Sequence, residues 1–256
     1  MINTSVCGAA GKMGTSILRL LSDDKEFKVI GGVESKEFLS KCPKELKSTS
    51  DLSEIIGGSD VIIDFSDISG TLEHLSIAEK NKKAMVIGTT GFKDLQIEAI
   101  KKASKGIPIV FSPNMSVGVN LLFKVAEEIA SKVPTYDVEI VELHHNQKKD
   151  APSGTAMNLA RIIANALGRK IEEVGVYGRK GEIGPRKKGE IGISSVRAGD
   201  IVGDHTVYFA GPGERIELIH RAHSRDTLAA GALVAAKWVI KQKPGLYDMQ
   251  NVLDLK

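Results

Sequence analysis

Along its first half the chain repeats one rhythm: a short apolar run, a polar break, then a stretch with apolar positions three and four apart. The runs Ile2 to Cys7, Lys28 to Val33, Asp60 to Phe65, Ala84 to Ile87 and Ile107 to Phe111 read as strands. "DVIIDF" and "AMVIG" do not alternate with polar residues, which is the pattern of strands buried on both faces. Residues 13 to 22, 70 to 81 and 93 to 104 carry helical spacing between those runs. Such alternation predicts an α/β, doubly wound domain, a parallel sheet with helices on both faces.

The rhythm changes after "SPNMSVGVN". A helix over 117 to 131 leads into "YDVEIVELHH", where Val138, Ile140 and Val141 alternate with acids, as in a strand of a different sheet. A helix over 154 to 167 follows, with Met157, Ala160, Ala164 and Leu167 on one stripe and Gly168 as its stop. Strand patterns at 192 to 198, 204 to 210 and 214 to 222 then succeed one another without a helix between them, which predicts a mixed sheet in a second α/β domain. Asp226 looks like the cap of a last helix reaching about Lys241, ended by "KPG" and able to return to the first domain. The expected division is therefore 1–116 with 225–256 against 117–224. Gly178 to Gly192, rich in Gly and Lys/Arg, reads by composition as a mobile solvated loop, and a lid over a charged substrate is the alternative.

Composition narrows the function. A length of 256 residues suits one large or two modest domains. The net charge of +3 is mild and its lysines are scattered among acids, which argues against a nucleic-acid binder. At 5% aromatic residues, base-stacking platforms are not expected either. No apolar run approaches the roughly 20 residues that cross a bilayer, and the apolar start lacks a basic leader, so no membrane association and a cytoplasmic location are expected. Cys7 and Cys42 have no metal-ligand spacing, which fits a reduced compartment.

"CGAAGKMGTSIL" places Gly8, Gly11 and Gly14 after the first strand and at the start of the first helix. Glycine permits the tight turn and close backbone approach, while free N–H groups and the helix dipole favour a pyrophosphate. The motif is a GxxGxxG variant with Ala10 in the middle position, and alone it is weak. It gains weight from Glu34, which closes the second strand 20 residues after Gly14, where a ribose-binding acid is expected. Glu34 favours free ribose hydroxyls and would repel a 2′-phosphate, whereas Lys12 and Lys36 could compensate, so both NADH and NADPH are expected as cofactors. The loops "GTTG" at 88 to 91 and "SPNMS" at 112 to 116 end the fourth and fifth strands, the end of an open α/β sheet where ligands sit.

The second domain offers "ELHHNQKKDAPSGTA", residues 142 to 156. Ser153 can cap the helix that follows, and Gly154 and Thr155 then present first-turn N–H groups and a hydroxyl to a carboxylate. Lys148 can add a point charge, and the imidazole of His144 or His145 can donate a proton. Taken singly each is as well explained by an ordinary strand end or cap, but five polar groups converging on one helix start favour a site. Adjacent histidines on a strand point to opposite faces and no third ligand is spaced to help, so no metal is expected. Motifs for zinc proteases, serine hydrolases and phosphate-binding loops are absent from the sequence.

Taken together, "CGAAGKMG", "GTTG", "SPNMSVGVN", "ELHHNQKKDAPSGTA", "SVRAGDIVGDHTVYFAG" and "GLYDMQNVL" closely resemble the 4-hydroxy-tetrahydrodipicolinate reductase (dihydrodipicolinate reductase) family of the diaminopimelate and lysine pathway, nearly end to end. The resemblance implies a Rossmann-like dinucleotide-binding domain, completed by the C-terminal helix. It also implies a substrate-binding domain that forms a homotetramer, and reduction of a cyclic unsaturated imine dicarboxylate by NAD(P)H. By the family's motifs, His144 matches the proton donor or acceptor and Lys148 the second catalytic residue, while His145, Gly154 and Thr155 match substrate contacts. Gly8, Ala9, Ala10, Gly11, Lys12, Met13, Glu34, Gly88, Thr89, Thr90, Ser112, Pro113, Asn114 and Met115 match cofactor contacts. Many relatives have arginine at Lys12 and often at Ser35, and that difference weakens the case for tight NADPH binding here. Hinges are expected near 115 to 118 and 223 to 226. A different two-domain NAD(P) dehydrogenase would lack the 142–156 stretch as a unit, and a nucleotide-sensing module would bind nicotinamide without turnover.

Overall fold

In the computed structural model, which describes residues 1–256, the five apolar runs of the first half become neighbours in one sheet. These are β1 (Ile2–Cys7), β2 (Phe27–Val33), β4 (Val61–Asp64), β5 (Ala84–Ile87) and β6 (Pro108–Phe111), joined by the short edge strands β3 (Ser48–Thr49) and β12 (Gly245–Tyr247). The order is β12-β6-β5-β4-β1-β2-β3, and all six pairings are parallel.

Residue parity explains why the runs lack polar alternation. Val61, Ile63, Ala84, Val86 and Val110 pack on one face with α1 (Lys12–Asp23) and α7 (Asp226–Val239). Ile62, Met85, Ile87 and Ile109 pack on the other with α2 (Ile68–Lys80) and α3 (Asp94–Ala103). Both parities are therefore buried, at about 1.5–3 kcal/mol for each large aliphatic side chain taken out of water. The alanine-rich face of α7 (Ala229, Ala232, Ala235 and Ala236, all fully buried) lets it lie close to its neighbours, and α8 (Met249–Val252) completes this cluster.

The chain divides into two units, Met1–Val117 with Arg225–Lys256, and Gly118–Ser224. In the second unit β7 (Asp137–His144) is the middle strand of a five-stranded sheet ordered β11-β10-β7-β9-β8. Its other strands are β8 (Gly175–Tyr177), β9 (Ile191–Arg197), β10 (Gly203–Gly211) and β11 (Glu214–Ala222). β7 is antiparallel to β10 and parallel to β9, so the sheet is mixed. The helices α4 (Val117–Lys132), α5 (Gly154–Ala166) and the short α6 (Ile171–Val174) bury the Val138 and Ile140 face of β7.

Two expectations need correction. The buried stripe of α5 is Ala156, Leu159, Ala160, Ile163 and Ala164, with Met157 only half-buried, because the helix turns a face about one residue away from the expected one toward β7. The 178–192 segment is exposed over most of its length, yet Arg179 and Arg186 tie it back to β7. Arg179 Nη1 and Nη2 both donate at 2.9 Å to the Glu139 carboxylate, and Arg186 donates to Asp137 at 2.8 Å. Composition counted these arginines as solvated charge, whereas β7 places acids opposite them.

Candidate active site

In the first unit the turn after β1 is built by backbone. Gly8 has φ +77°, a region that favours glycine, and a Cβ there would lie 2.6 Å from the Phe65 carbonyl oxygen. Gly14 is equally constrained, since its Cβ would meet the Gly8 carbonyl oxygen at 2.0 Å. Gly11 is the exposed N-cap of α1, and no side chain caps that helix or places an acid in its first turn. Its uncapped N–H groups and positive dipole end suit a pyrophosphate.

Glu34 follows β2 directly, and its carboxylate accepts from Ala10 N and Ser35 N, each at 2.9 Å. It forms a wall of a 560 Å³ cavity that Gly8, Gly11, Lys41 and His74 also line. The lysine in this lining is Lys41, its Nζ 4.3 Å over the Phe38 ring, and Lys36 is not part of it. A second cavity of 530 Å³ in the same unit is lined by Gly88, Thr89 and Thr90. Ala9 and Met115 are buried in the core, so they can offer a ligand only backbone. A Cβ at Gly231 would lie 1.7 Å from the Met115 carbonyl oxygen, so α7 supports the 112–115 loop at close range. Within that loop Ser112 Oγ donates to the Asn114 carbonyl at 2.8 Å, and Pro113 is exposed. Lys12 is exposed and Met13 half-buried at the helix start.

The sequence reading missed a polar knot beneath this turn. Asp64, fully buried at the end of β4, accepts from His74 Nδ1 at 2.8 Å, from Ser66 N at 2.9 Å and from Ser66 Oγ at 2.6 Å. Thr71 Oγ1 lies 3.1 Å from Asp64 and 2.8 Å from Thr89 Oγ1, which links the Gly88–Thr90 loop to β4. The buried Cys7 thiol, pushed well up by burial and then by Asp64 and Glu34, completes a group whose ligand atoms lie within 4.8 Å of one another. The Asp64 oxygens are already taken by His74, Ser66 and Thr71, so the group is closed upon itself. The signal was available: an acid ends an otherwise apolar buried run, and His74 shares a helix stripe with Leu75 and Ala78.

In the second unit β7 changes character along its inward face, from Val138 and Ile140 to Glu142 and His144, all four buried. Glu142 is the hub. His144 Nδ1 lies 2.5 Å from its Oε2, and Arg197 of β9 donates to both oxygens at 2.9 and 2.8 Å. The backbone N–H of Ser153 donates to Oε1 at 3.1 Å. Burial would push this carboxyl up, but hydrogen bonds from Arg197, then His144 and Ser195, outweigh it and hold Glu142 at about 2. Arg197 Nη2 also donates to the Asp150 carbonyl at 2.7 Å, so one guanidinium fixes both the acid and the loop that follows it.

Ser153 is the N-cap of α5, accepting from Ala156 N at 3.2 Å, and Gly154 is exposed at the helix start with Thr155 half-buried beside it. Lys148 Nζ pairs with Asp150 at 2.9 Å, an ion pair with a largely exposed acid that a stronger anion can displace at little cost. His145 is half-buried and contributes its carbonyl to Lys148 N at 3.1 Å. The ring beside His144 is not its sequence neighbour but His205 of β10, at 5.2 Å between centroids. Burial foremost, then His144 and His220, lowers His205 to about 4, which leaves it neutral, and its Nε2 lies 3.2 Å from Ser153 Oγ.

Strand parity could have revealed Glu142, because it faces the same way as Val138, Ile140 and His144. Arg197 and His205 could not be found so, because they arrive through the β7–β9 and β7–β10 registers.

Residues 2–115 match the family model for dihydrodipicolinate reductase, N-terminus, and residues 118–253 that for dihydrodipicolinate reductase, C-terminus. The chain is 49% identical to a 4-hydroxy-tetrahydrodipicolinate reductase of Syntrophus aciditrophicus (strain SB), with 100% of each chain covered. It is 51% identical to the enzyme of that name from Aquifex aeolicus (strain VF5), covering 99% of each. A dipicolinate-bound dihydrodipicolinate reductase from Paenisporosarcina sp. TG-14 superposes with a TM-score of 0.81 at 27% identity, over 98% of this chain and 99% of that one. Glycine turn, mixed second sheet and both family models agree, and the chain belongs to the dihydrodipicolinate reductase family.

Proposed function

We propose that the chain is a 4-hydroxy-tetrahydrodipicolinate reductase, reducing a cyclic unsaturated imine dicarboxylate with NADH or NADPH. The observation that carries this reading is the convergence of His144 and the start of α5 on one buried carboxylate, Glu142. A proton donor and a carboxylate-binding helix terminus are thereby held in register.

The first unit would hold the cofactor. The N–H groups of the Gly8–Met13 turn suit the pyrophosphate, Glu34 the adenosine ribose, and the Gly88–Thr90 and Ser112–Met115 loops the nicotinamide half. The tight approaches at Gly8 and Gly14 fit that assignment, since side chains there would fill the turn. When bound, the dihydronicotinamide supplies the hydride. The second unit would hold the substrate. Lys148 exchanges Asp150 for a substrate carboxylate, Gly154 and Thr155 hold the other from the helix start, and His145 borders the ring. His144 delivers the proton that reduction requires. We place the enzyme in the cytoplasm as a homotetramer assembled through the second unit, whose edge strand β11 exposes Ile216 and Ile219.

The test is NADH and NADPH oxidation coupled to the synthase that generates the imine. Wild type should turn over with either cofactor, and His144→Ala should lower kcat by about 10²-fold or more. Undiminished kcat in that variant would remove His144 from the chemistry. Lys148→Ala should raise the substrate KM as well as lower kcat, and normal saturation would count against its carboxylate role.

A further inference from the structure

His144 has two ring nitrogens, and only one of them is spoken for. Nδ1 is 2.5 Å from Glu142 Oε2, while Nε2 faces Gly203, where a Cβ would approach it to 3.0 Å. Gly203 has no positive φ, and the three atoms nearest to a Cβ there all belong to the His144 ring, so its missing side chain keeps Nε2 uncovered. Glu142 in turn is balanced by Arg197, whose guanidinium is permanently charged and spans both of its oxygens.

We infer that Glu142 is a positioning residue: it commits His144 Nδ1 to one proton, so that Nε2 alone takes up and releases the proton of each turnover, in the space that Gly203 leaves open. In the neutral ring the proton sits on Nδ1 and is donated to Glu142, and the Nε2 lone pair faces Gly203. In the charged ring Nε2–H is the bond that breaks, its electron pair returning to the ring as the proton passes to substrate carbon. Arg197 lets His144 change charge without leaving Glu142 as a lone buried anion. Glu142 cannot itself carry the proton, because both of its oxygens are occupied by Arg197 donors. The same carboxylate accepts from Ser153 N, so it also fixes the helix start relative to the ring.

This inference rests on His144 being the proton donor proposed above, and the experiment separates the two. Wild-type enzyme labelled with ¹⁵N-histidine carries six histidines, and His144→Ala identifies the His144 signals by difference. The neutral His144 ring should be the Nδ1–H tautomer with a far-downfield Nδ1 proton, and an Nε2–H tautomer in the wild type would overturn the inference. Glu142→Gln should lose that signal and reduce kcat by on the order of tenfold or more, part of what a positioned acid contributes, with the KM for NADH unchanged. Glu142→Asp should restore part of the loss. If Glu142→Gln does not fold, the charge-neutral pair Glu142→Gln with Arg197→Met replaces it. Gly203→Ala should lower kcat with the tautomer intact. Glu139→Gln, on the same strand but paired with Arg179, should leave kcat unaltered. Full kcat in Glu142→Gln, with His144→Ala inactive, would sink the inference and spare the reading of function. Full kcat in His144→Ala would remove His144 as the proton donor, and the inference with it.

Discussion

Two buried carboxylate–histidine pairs, one in each unit, look alike in geometry and differ in what balances their charge. Asp64 and His74 meet at 2.8 Å, Glu142 and His144 at 2.5 Å, and both acids are fully buried. Around Asp64 the remaining partners are a backbone N–H and the Ser66 and Thr71 hydroxyls, so the one neighbour able to carry a compensating charge is His74 itself. Around Glu142 the charge is met by Arg197 whatever His144 does. A histidine that changes charge in every turnover needs the second arrangement, because burying an uncompensated ion is costly. A histidine that only braces a loop is served by the first. The pair without a cation is thus read as scaffold, holding Thr89 and the end of β4, and the pair with one as machinery.

Removing the scaffold should have the largest effect on stability. Asp64→Ala leaves His74 and the Ser66 and Thr71 donors facing an apolar gap, at about 3–5 kcal/mol for a broken buried pair. Trp238, the single tryptophan, lies in α7 of the same unit, so urea unfolding followed by its fluorescence reports this unit directly. A loss under about 1 kcal/mol would show that Asp64 anchors nothing and that the contrast between the pairs is only one of composition.

Acid should reach the second unit by another route. His205 is lowered from 6.5 to about 4 by burial first and by His144 and His220 after it. Its neutral form is the one the fold accepts, so this contribution is fully present above 6.5 and is lost as pH falls toward 4. At about 1.4 kcal/mol per tenfold it amounts to ~3 kcal/mol. Glu142, held at about 2 against an ordinary 4.5, adds a second loss as pH falls from 4.5 toward 2. Protection factors of the β7 and β10 amides, the exchange rates divided into their intrinsic values at each pH, should therefore already fall between pH 6.5 and 4. His205→Phe should flatten that limb and leave the lower one in place. Equal acid sensitivity in wild type and variant would assign the softening to other groups.

The two pairs also show where the sequence was readable. Strands such as Val61–Asp64 and Ala84–Ile87 stood out because burial on both faces leaves an unbroken apolar run. Ser48–Thr49 and Gly245–Tyr247 did not, being two and three residues of sheet edge that no periodicity can mark. Gly8, Gly11, Gly14 and Glu34 were visible because one turn and the end of the next strand bring them together locally. His144 was visible as a residue type, but its meaning lies in Glu142, which strand parity could have found, and in Arg197 and His205, which only the sheet registers supply. The ring that stacks edge-on with His144 likewise comes from β10, through the sheet register and not through sequence adjacency.

The smallest effect is expected at Glu34, where the same question of charge balance arises at an exposed wall. Both of its oxygens accept from backbone N–H groups, and Lys41 stands in the same cavity lining. The acid braces Ala10 in the glycine turn, and on the function proposed above it has a second duty, setting the sign of charge where an adenosine 2′-substituent would sit. An amide keeps one acceptor oxygen and drops the charge. At about 0.5–1.5 kcal/mol for one net hydrogen bond, Glu34→Gln should raise the NADH KM roughly 2- to 10-fold. The same variant should lower the NADPH KM, because the repulsion of a 2′-phosphate is gone. Lys41→Ala should move NADPH the opposite way and leave NADH nearly unchanged. Steady-state kinetics with both cofactors distinguish the duties: a rise in both KM values by the same factor would mean that Glu34 braces the turn and takes no part in choosing between the cofactors.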